Sequence, residues 1–509
     1  MPRTYGCGGH LSGLIRRQTG ARTTGGRVGN GAMTVSCRRC AVVMAAVASG
    51  LLLPAVSAAE TMQSALVKAY QNNPQLNAQR ALVRSTDESV PQALSGYRPR
   101  VAVTGSVGEL YQDFGSKSAG AVSNPKGGPA IPVVTYSGQS ATVTPYSVGA
   151  TGTYTLLNGF QTANRTRAAE GQVSQAREGL RVLEQTILLT AATIYMDVLR
   201  DAANLEVQKS NVRVLEETLK QTRDRFNVGE VTKTDVAQAE AQLAAGQSAE
   251  LAAESTLTTS KANFRQVIGV EPVNLAPGSP VDRFSPATLA GAIAKGLAEN
   301  PNVTSAMYGI DIAFLQVKVN EGALYPTVSL TAQAQYQTWS QIQTPTFVTA
   351  SVMSQVSVPL YQGGAEYSLI RQSKESLGQQ RLTLELTRDQ TRQQVVAAWG
   401  QLLATKAQVQ AAQSQVTSSE VALNGVREEA RVGQRTTLDV LNAQQALVNA
   451  RVALVTAQHD RVVASYSVLS AVGGLSPQVL GLPTPTYDSM VHYQQIRDAW
   501  VGVRVPDGR

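Results

Sequence analysis

Two long stretches of this chain are versions of one another, and the duplication restricts the fold to two equivalent halves. At an offset of 227 residues, 65–74 (ALVKAYQNNP) falls on 292–301 (AIAKGLAENP), and without a gap Pro99 meets Pro326 and Val101 meets Val328. Farther along the offset is 204: Leu156 pairs with Leu360, Gly159 with Gly363, Arg167 with Arg371, Asp235 with Asp439 and Gly269 with Gly473. The difference of 23 residues is confined to the segment between Pro99 and Leu156. A unit of more than 200 residues is a duplicated half, not a stacked solenoid repeat.

Proline marks where the halves change character. None occurs between Tyr146 and Glu271, nor between Leu360 and Ser476, and both stretches are rich in Ala, Gln, Leu, Glu and Arg. They predict very long helices. In the first, Val173, Ala176, Leu180, Leu183, Ile187, Ala191, Ile194 and Val198 recur at three- and four-residue spacing, a seam for coiled-coil-like packing. A helix over 159–226 would be a rod of roughly 100 Å. After a break at Val228 and Gly229, a second is expected over 232–266; the other copy predicts 364–431, a break at Val432 and Gly433, then 436–471. Shorter helices over 61–96 and 286–322 should be interrupted at Asn73-Pro74 and Asn300-Pro301.

Between short and long helices the period falls to two. Val328, Leu330, Ala332, Ala334 and Tyr336 alternate with Ser329, Thr331, Gln333, Gln335 and Gln337. Val348, Ala350, Val352, Val356 and Val358 recur in the same phase, and Tyr146, Val148, Ala150, Tyr154 and Leu156 do so in the first copy. One apolar face and one of Ser, Thr and Gln suit strands that cross a bilayer. A soluble sandwich is the alternative, but hairpins separated by so much helix fit it poorly. Four strands cannot close a barrel, since the smallest have about eight. Open edges in lipid leave backbone groups unsatisfied, so several copies must share one barrel.

Composition removes other classes. The net charge of +8 suggests a nucleic-acid partner, yet residues 1–58 hold seven Arg and no Lys, Asp or Glu, leaving 37 basic against 36 acidic side chains. No nucleic-acid footprint follows. Arg38 and Arg39, an apolar run over 41–56 and small residues up to Ala58 read as a cleaved export signal, with 1–32 an extension upstream of a start at Met33. A membrane anchor is the alternative, for which the run is short. Cys7, Cys37 and Cys40 all lie in this leader, so neither a disulfide framework nor a thiolate metal site is expected beyond it. Beyond the leader no apolar stretch reads as long enough for a transmembrane helix. His459 and His492 are the only histidines there, with no phosphate loop, HExxH or nucleophile elbow. Neither an enzyme nor a cofactor is expected.

The chain resembles the TolC family of outer-membrane efflux and secretion ducts over essentially all of 59–509. The resemblance rests on the two helix–hairpin–helix halves and on the turns Leu157-Asn158-Gly159-Phe160 and Tyr361-Gln362-Gly363-Gly364. It rests too on 225–236 (RFNVGEVTKTDV) with 430–440 (ARVGQRTTLDV), and the tail 487–500 (YDSMVHYQQIRDAW) looks like that of members paired with type I secretion systems. It implies a mainly α protein with membrane β-structure: a homotrimer whose 12 strands share one outer-membrane barrel, continued by a long periplasmic α-barrel. It implies a passive duct docked to a periplasmic adaptor and to an inner-membrane ABC or proton-driven transporter, with outer-membrane lipid around the strands. A soluble periplasmic coiled-coil adaptor is the rival.

The resemblance also implies a gate at the narrow periplasmic end. Thr234 and Asp235 match a Thr-Asp of the first copy, Arg435 the arginine that reaches them, and Asp439 the first of two aspartates ringing the constriction. Ala430 stands where a tyrosine is expected and Asn442 where the second aspartate is expected. The plainer alternative is that Thr232, Thr234 and Asp235, like Thr436 and Asp439, cap helices. The expected organisation is a leader (1–58), short helices (59–98), a first β-hairpin (99–157) with an exposed loop near 113–145, and a long helical hairpin (158–269). A mixed linker (270–285) follows, then short helices (286–325), the second β-hairpin (326–361), the second long helical hairpin (362–473) and a periplasmic tail (474–509).

Overall fold

The computed structural model describes residues 60–341 and 344–506, so the expected leader and its cleavage point lie outside the described residues. In chain order the elements are α1 (Met62–Asn72), α2 (Pro74–Asp87), α3 (Ser89–Leu94), β1 (Arg100–Val107), β2 (Leu110–Val122), β3 (Ile131–Val143) and β4 (Tyr146–Asn158). Then come α4 (Gln161–Asn227), α5 (Lys233–Ile268), α6 (Leu289–Glu299), α7 (Pro301–Gly322), β5 (Thr327–Gln341) and β6 (Thr344–Ser357). The chain ends with α8 (Ala365–Arg431), α9 (Thr437–Ala471) and α10 (Ser489–Ile496). The copies match in length: α4 and α8 have 67 residues each, α5 has 36 and α9 has 35.

The breaks have local causes. Asn73 accepts from the Gln75 and Leu76 N–H groups at 2.9 and 3.3 Å, and Pro74, whose missing N–H costs nothing in a first turn, begins α2. Asn300 repeats this, accepting from the Asn302 N–H at 2.9 Å before Pro301. Entry into α4 turns on Gly159 (φ 60°), where a Cβ would lie 2.2 Å from the Gly322 carbonyl.

Four strands form one antiparallel sheet in the order β1-β4-β5-β6. Its register lines up Val101, Gly152, Ala332 and Val352 in one row and Val103, Ala150, Ala334 and Ala350 in another. The rows between, such as Ala102, Thr151, Gln333 and Ser351, belong to the opposite, polar face. Val101, Val103, Val348 and Val352 are each more than 70% exposed, so the apolar face has no cover among the described residues. Among the described residues β1 and β6 are free edges.

The expected loop at 113–145 is instead largely strand. β2 and β3 pair from Leu110↔Val143 to Val122↔Ile131 as a separate two-stranded ribbon, turning only over 123–130. Its Gly, Ser and Thr residues meet across the ladder, as at Ser116↔Ser137 and Gly115↔Gly138; a ribbon solvated on both faces lacks the apolar alternation by which strands are recognised.

The main core lies where α1, α4, α5 and α9 meet. Leu66, Leu188, Phe264 and Leu469 are fully buried there, each worth about 1.5–3 kcal/mol. Tyr195 joins them and donates its hydroxyl to the Glu60 and Ala276 carbonyls, both at 2.7 Å. Leu475, Leu480 and Leu482 of the tail close over this core. One expectation is corrected: α4 contains an 18-residue window of mean hydropathy 1.3, long and apolar enough to span a membrane. That helix places Ile187, Leu188, Ala191 and Ala192 in the core, so its hydropathy reflects packing between helices.

Candidate gate at the tips of the long helices

At the end remote from the strands, each long helix turns back on itself in the same way. Gly229 (φ 80°) and Gly433 (φ 81°) take the left-handed conformation after α4 and α8. The next N–H groups return to the last turn, Glu230 N–H to the Arg225 carbonyl and Gln434 N–H to the Glu429 carbonyl, both at 2.9 Å. Val228 and Val432 stand exposed at the apices.

The return helices open with capping boxes. Thr232 Oγ1 accepts from the Asp235 N–H at 3.3 Å, while Asp235 Oδ2 accepts from the Thr232 N–H at 2.8 Å and its hydroxyl at 2.7 Å. Thr436 and Asp439 repeat it at 3.2, 3.0 and 2.9 Å. The Thr232 hydroxyl and N–H hold Asp235 below its ordinary 3.8, and the Thr436 N–H and hydroxyl do the same for Asp439. Both aspartates therefore remain charged through the neutral range. Only Oδ2 of each is used, so capping leaves Oδ1 of Asp235 and Asp439 to meet another group.

Arg435 is exposed and donates from Nε to Glu429 at 2.8 Å, a contact that raises its pKa. Within one chain it is not brought to Asp235, whose partner is Thr232. Thr234 is exposed in the first turn of α5, Asn442 lies exposed one turn beyond Asp439, and Ala430 is half-buried in the last turn of α8. Glu429 was not foreseen; it lies immediately before the quoted 430–440 segment.

Also unforeseen is a polar relay joining the two halves behind the tips. Arg427 donates to Gln444 at 3.1 Å, Gln444 to Asn211 at 3.3 Å, and Gln242 to Gln445 at 3.1 Å. Gln444 and Asn211 are buried. The sequence carried a signal, because Gln444 falls at helical spacing among the apolar Leu441, Leu447 and Val448. A cleft of about 650 Å³ opens beside the relay between α4, α8 and α9, with Arg213, Arg225, Arg427 and Arg431 among its lining residues.

A strand sheet with an uncovered apolar face, set on helical rods that end in a charged tip, defines an outer-membrane channel protein. A family model described as outer membrane efflux protein matches residues 65–270 and 292–474, and the chain belongs to that family. It is 41% identical over 470 residues to the outer membrane efflux protein BepC of Brucella suis, covering 92% of this chain and 97% of that protein. It is 26% identical over 317 residues to the alkaline protease secretion protein AprF of Pseudomonas aeruginosa, covering 60% and 65% of the two chains. Among solved structures it resembles the Campylobacter jejuni CmeC outer membrane channel, with a TM-score of 0.70 at 16% identity over 86% of this chain and 89% of that one. Such channels are conduits, and this chain is a channel protein of the outer membrane, not an enzyme.

Proposed function

We propose that three copies of this chain form a passive exit duct that spans the outer membrane and the periplasm, shut at its helical tips until a partner complex docks. The observation that carries this is the open sheet: β1 and β6 are unpaired edges, and the row from Val101 to Val352 has no cover. In lipid the row is solvated by acyl chains, while each free edge group costs several kcal/mol unless another copy pairs with it. A soluble adaptor would present the same row to water, which disfavours that reading.

At the tips, Arg435 of one copy reaches Thr234 and Asp235 of another, using the carboxylate oxygen that capping leaves free. Three Asp439 side chains ring the axis. Asn442 halves the charge expected of the ring, and Ala430 lacks the hydroxyl expected beside it. The cleft lined by Arg213 and Arg427 is suited to the tip of a periplasmic adaptor, which would join the duct to an inner-membrane transporter. Similarity to AprF, a protease secretion protein, and the 487–500 tail support type I protein export; similarity to BepC, an efflux protein, supports drug efflux.

Fractionation tests the placement: the protein should stay with detergent-extracted outer membrane, and release by a salt or alkaline wash would overturn it. Deleting the gene should abolish secretion of at least one large protein or raise susceptibility to amphipathic drugs. If neither changes, the duct assignment fails.

A further inference from the structure

Exposed aromatic residues stand where the strands of the sheet meet the helices. Tyr97 precedes β1, Phe160 follows β4, Tyr325 precedes β5 and Tyr361 follows β6, and all four side chains are exposed. Such residues settle at the headgroup level. The tail reaches the same level. It is pinned first at His492, whose Nδ1 lies 3.0 Å from Oδ2 of the fully buried Asp87. It is pinned again where Arg98, two residues before β1, donates to the Ala499 carbonyl at 2.7 Å and lies 4.6 Å from the centre of the Trp500 ring.

Beyond that second pin the chain turns apolar and uncovered. Trp500 is 67% exposed, Val501 94% and Val503 101%. Arg497 and Arg504 flank this run against a single Asp498, and Arg98 and Arg100 stand at the adjoining strand start. Exposed Trp and Val among arginines, fixed beside the ends of membrane strands, match the phospholipid interface in both polarity and charge.

We infer that residues 498–505 are a lipid-binding anchor: Trp500, Val501 and Val503 enter the headgroup region of the periplasmic leaflet of the outer membrane, and Arg98 and Arg504 face its phosphates. This rests on the membrane placement of the strands and adds a monotopic contact outside the barrel. Through the His492–Asp87 pin, the anchor ties α2 to the membrane surface.

The native cysteines all precede residue 59, so a background with Cys7→Ser, Cys37→Ser and Cys40→Ser gives clean labelling. Val503→Cys and, as a reporter of the spanning strands, Val103→Cys are each labelled with a fluorophore in the full-length protein. Both are reconstituted in phosphatidylethanolamine–phosphatidylglycerol vesicles. The anchor predicts that nitroxide-bearing phospholipids dim the label at 503 about twofold, with little quenching by aqueous iodide, as for an interfacial group. Quenching at 503 by iodide alone would overturn the anchor, and so would shielding from both quenchers, which would mean that protein covers the tail. If the label at 103 responds to lipid in either case, the spanning strands stand and only the anchor falls. If 103 is also untouched by lipid quencher, both fall. As a second check, Arg504→Glu should reduce lipid quenching at 503 while leaving 103 unchanged.

Discussion

At the residue scale the carboxylates that cap the return helices are the same ones to which the proposed gate assigns a ring of charge, and the choice of substitution decides which role is measured. Asp439→Ala removes the charge and also the N3 half of the capping box, whereas Asp439→Asn keeps an acceptor for the Thr436 N–H. In planar bilayers Asp439→Asn should reduce cation preference and block by multivalent cations, because rings of charge set selectivity; an unchanged reversal potential would leave Asp439 as a cap alone. Arg435→Ser should raise resting conductance, and less so than in a relative that retains the tyrosine missing at Ala430. If conductance does not move, the constriction lies elsewhere. The capping threonines and aspartates were legible from their spacing, but the Arg435–Glu429 pair was not, since six residues across a turn follow no helical periodicity.

A second residue-scale prediction concerns the charge cluster around the buried His459, between α4 and α9. His459 Nδ1 lies 2.8 Å from Asp460, and Nε2 lies 3.0 Å from Asp197 at an angle short of a good hydrogen bond. Arg200 also reaches Asp197, at 2.8 Å. Burial opposes the charge on His459, but Asp197 and Asp460 raise its pKa above the ordinary 6.5. Burial likewise opposes ionisation of Asp197, which His459 and Arg200 nevertheless hold below 3.8. The imidazolium's contribution is complete below 6.5 and is lost as pH rises through the raised value; that of Asp197 is complete above 3.8 and is lost as pH falls. His459→Gln should therefore lower thermal stability more at about pH 5.5 than at about pH 8.5. Equal losses at both pH values would show that packing, not charge, is what His459 supplies. Gln458, Asp460 and Arg461 beside this histidine are visible in the sequence, but the proximity of Asp197, which belongs to the other half, is not.

At the element scale the long helices were legible to within two residues at their ends, because absence of proline and the Val-Gly breaks are local signals. The β2–β3 ribbon was not, because its polar ladder needs no hydrophobic face. That difference has a consequence. Gly108 N–H already bonds the Pro145 carbonyl at 3.1 Å where the ribbon leaves the sheet, so joining these residues through Asn-Gly would supply the turn that a two-residue hairpin favours. The shortened chain should assemble and conduct as before, measured by native mass and single-channel recording. Loss of assembly would mean that the ribbon, and not only the four-stranded sheet, pairs between copies.

At the scale of the whole molecule the number of copies follows from what a lumen requires. Each chain offers four sheet strands with two free edges, and lipid tolerates no open edge. Two copies would give eight strands, enough to close, but a barrel of about eight is filled by its own side chains. Its interior rows here, such as Thr151, Gln333 and Ser351, would occupy the space through which cargo must pass. Three copies would give a wider barrel with room for water, and their helices would continue it as a tube of the same threefold symmetry. Native mass measurement in detergent should therefore give three times the mature chain, with ion conduction from the same preparation. A dimer without conductance would mean a filled barrel and end the duct assignment; a stable monomer would show that the sheet edges are satisfied in some other way.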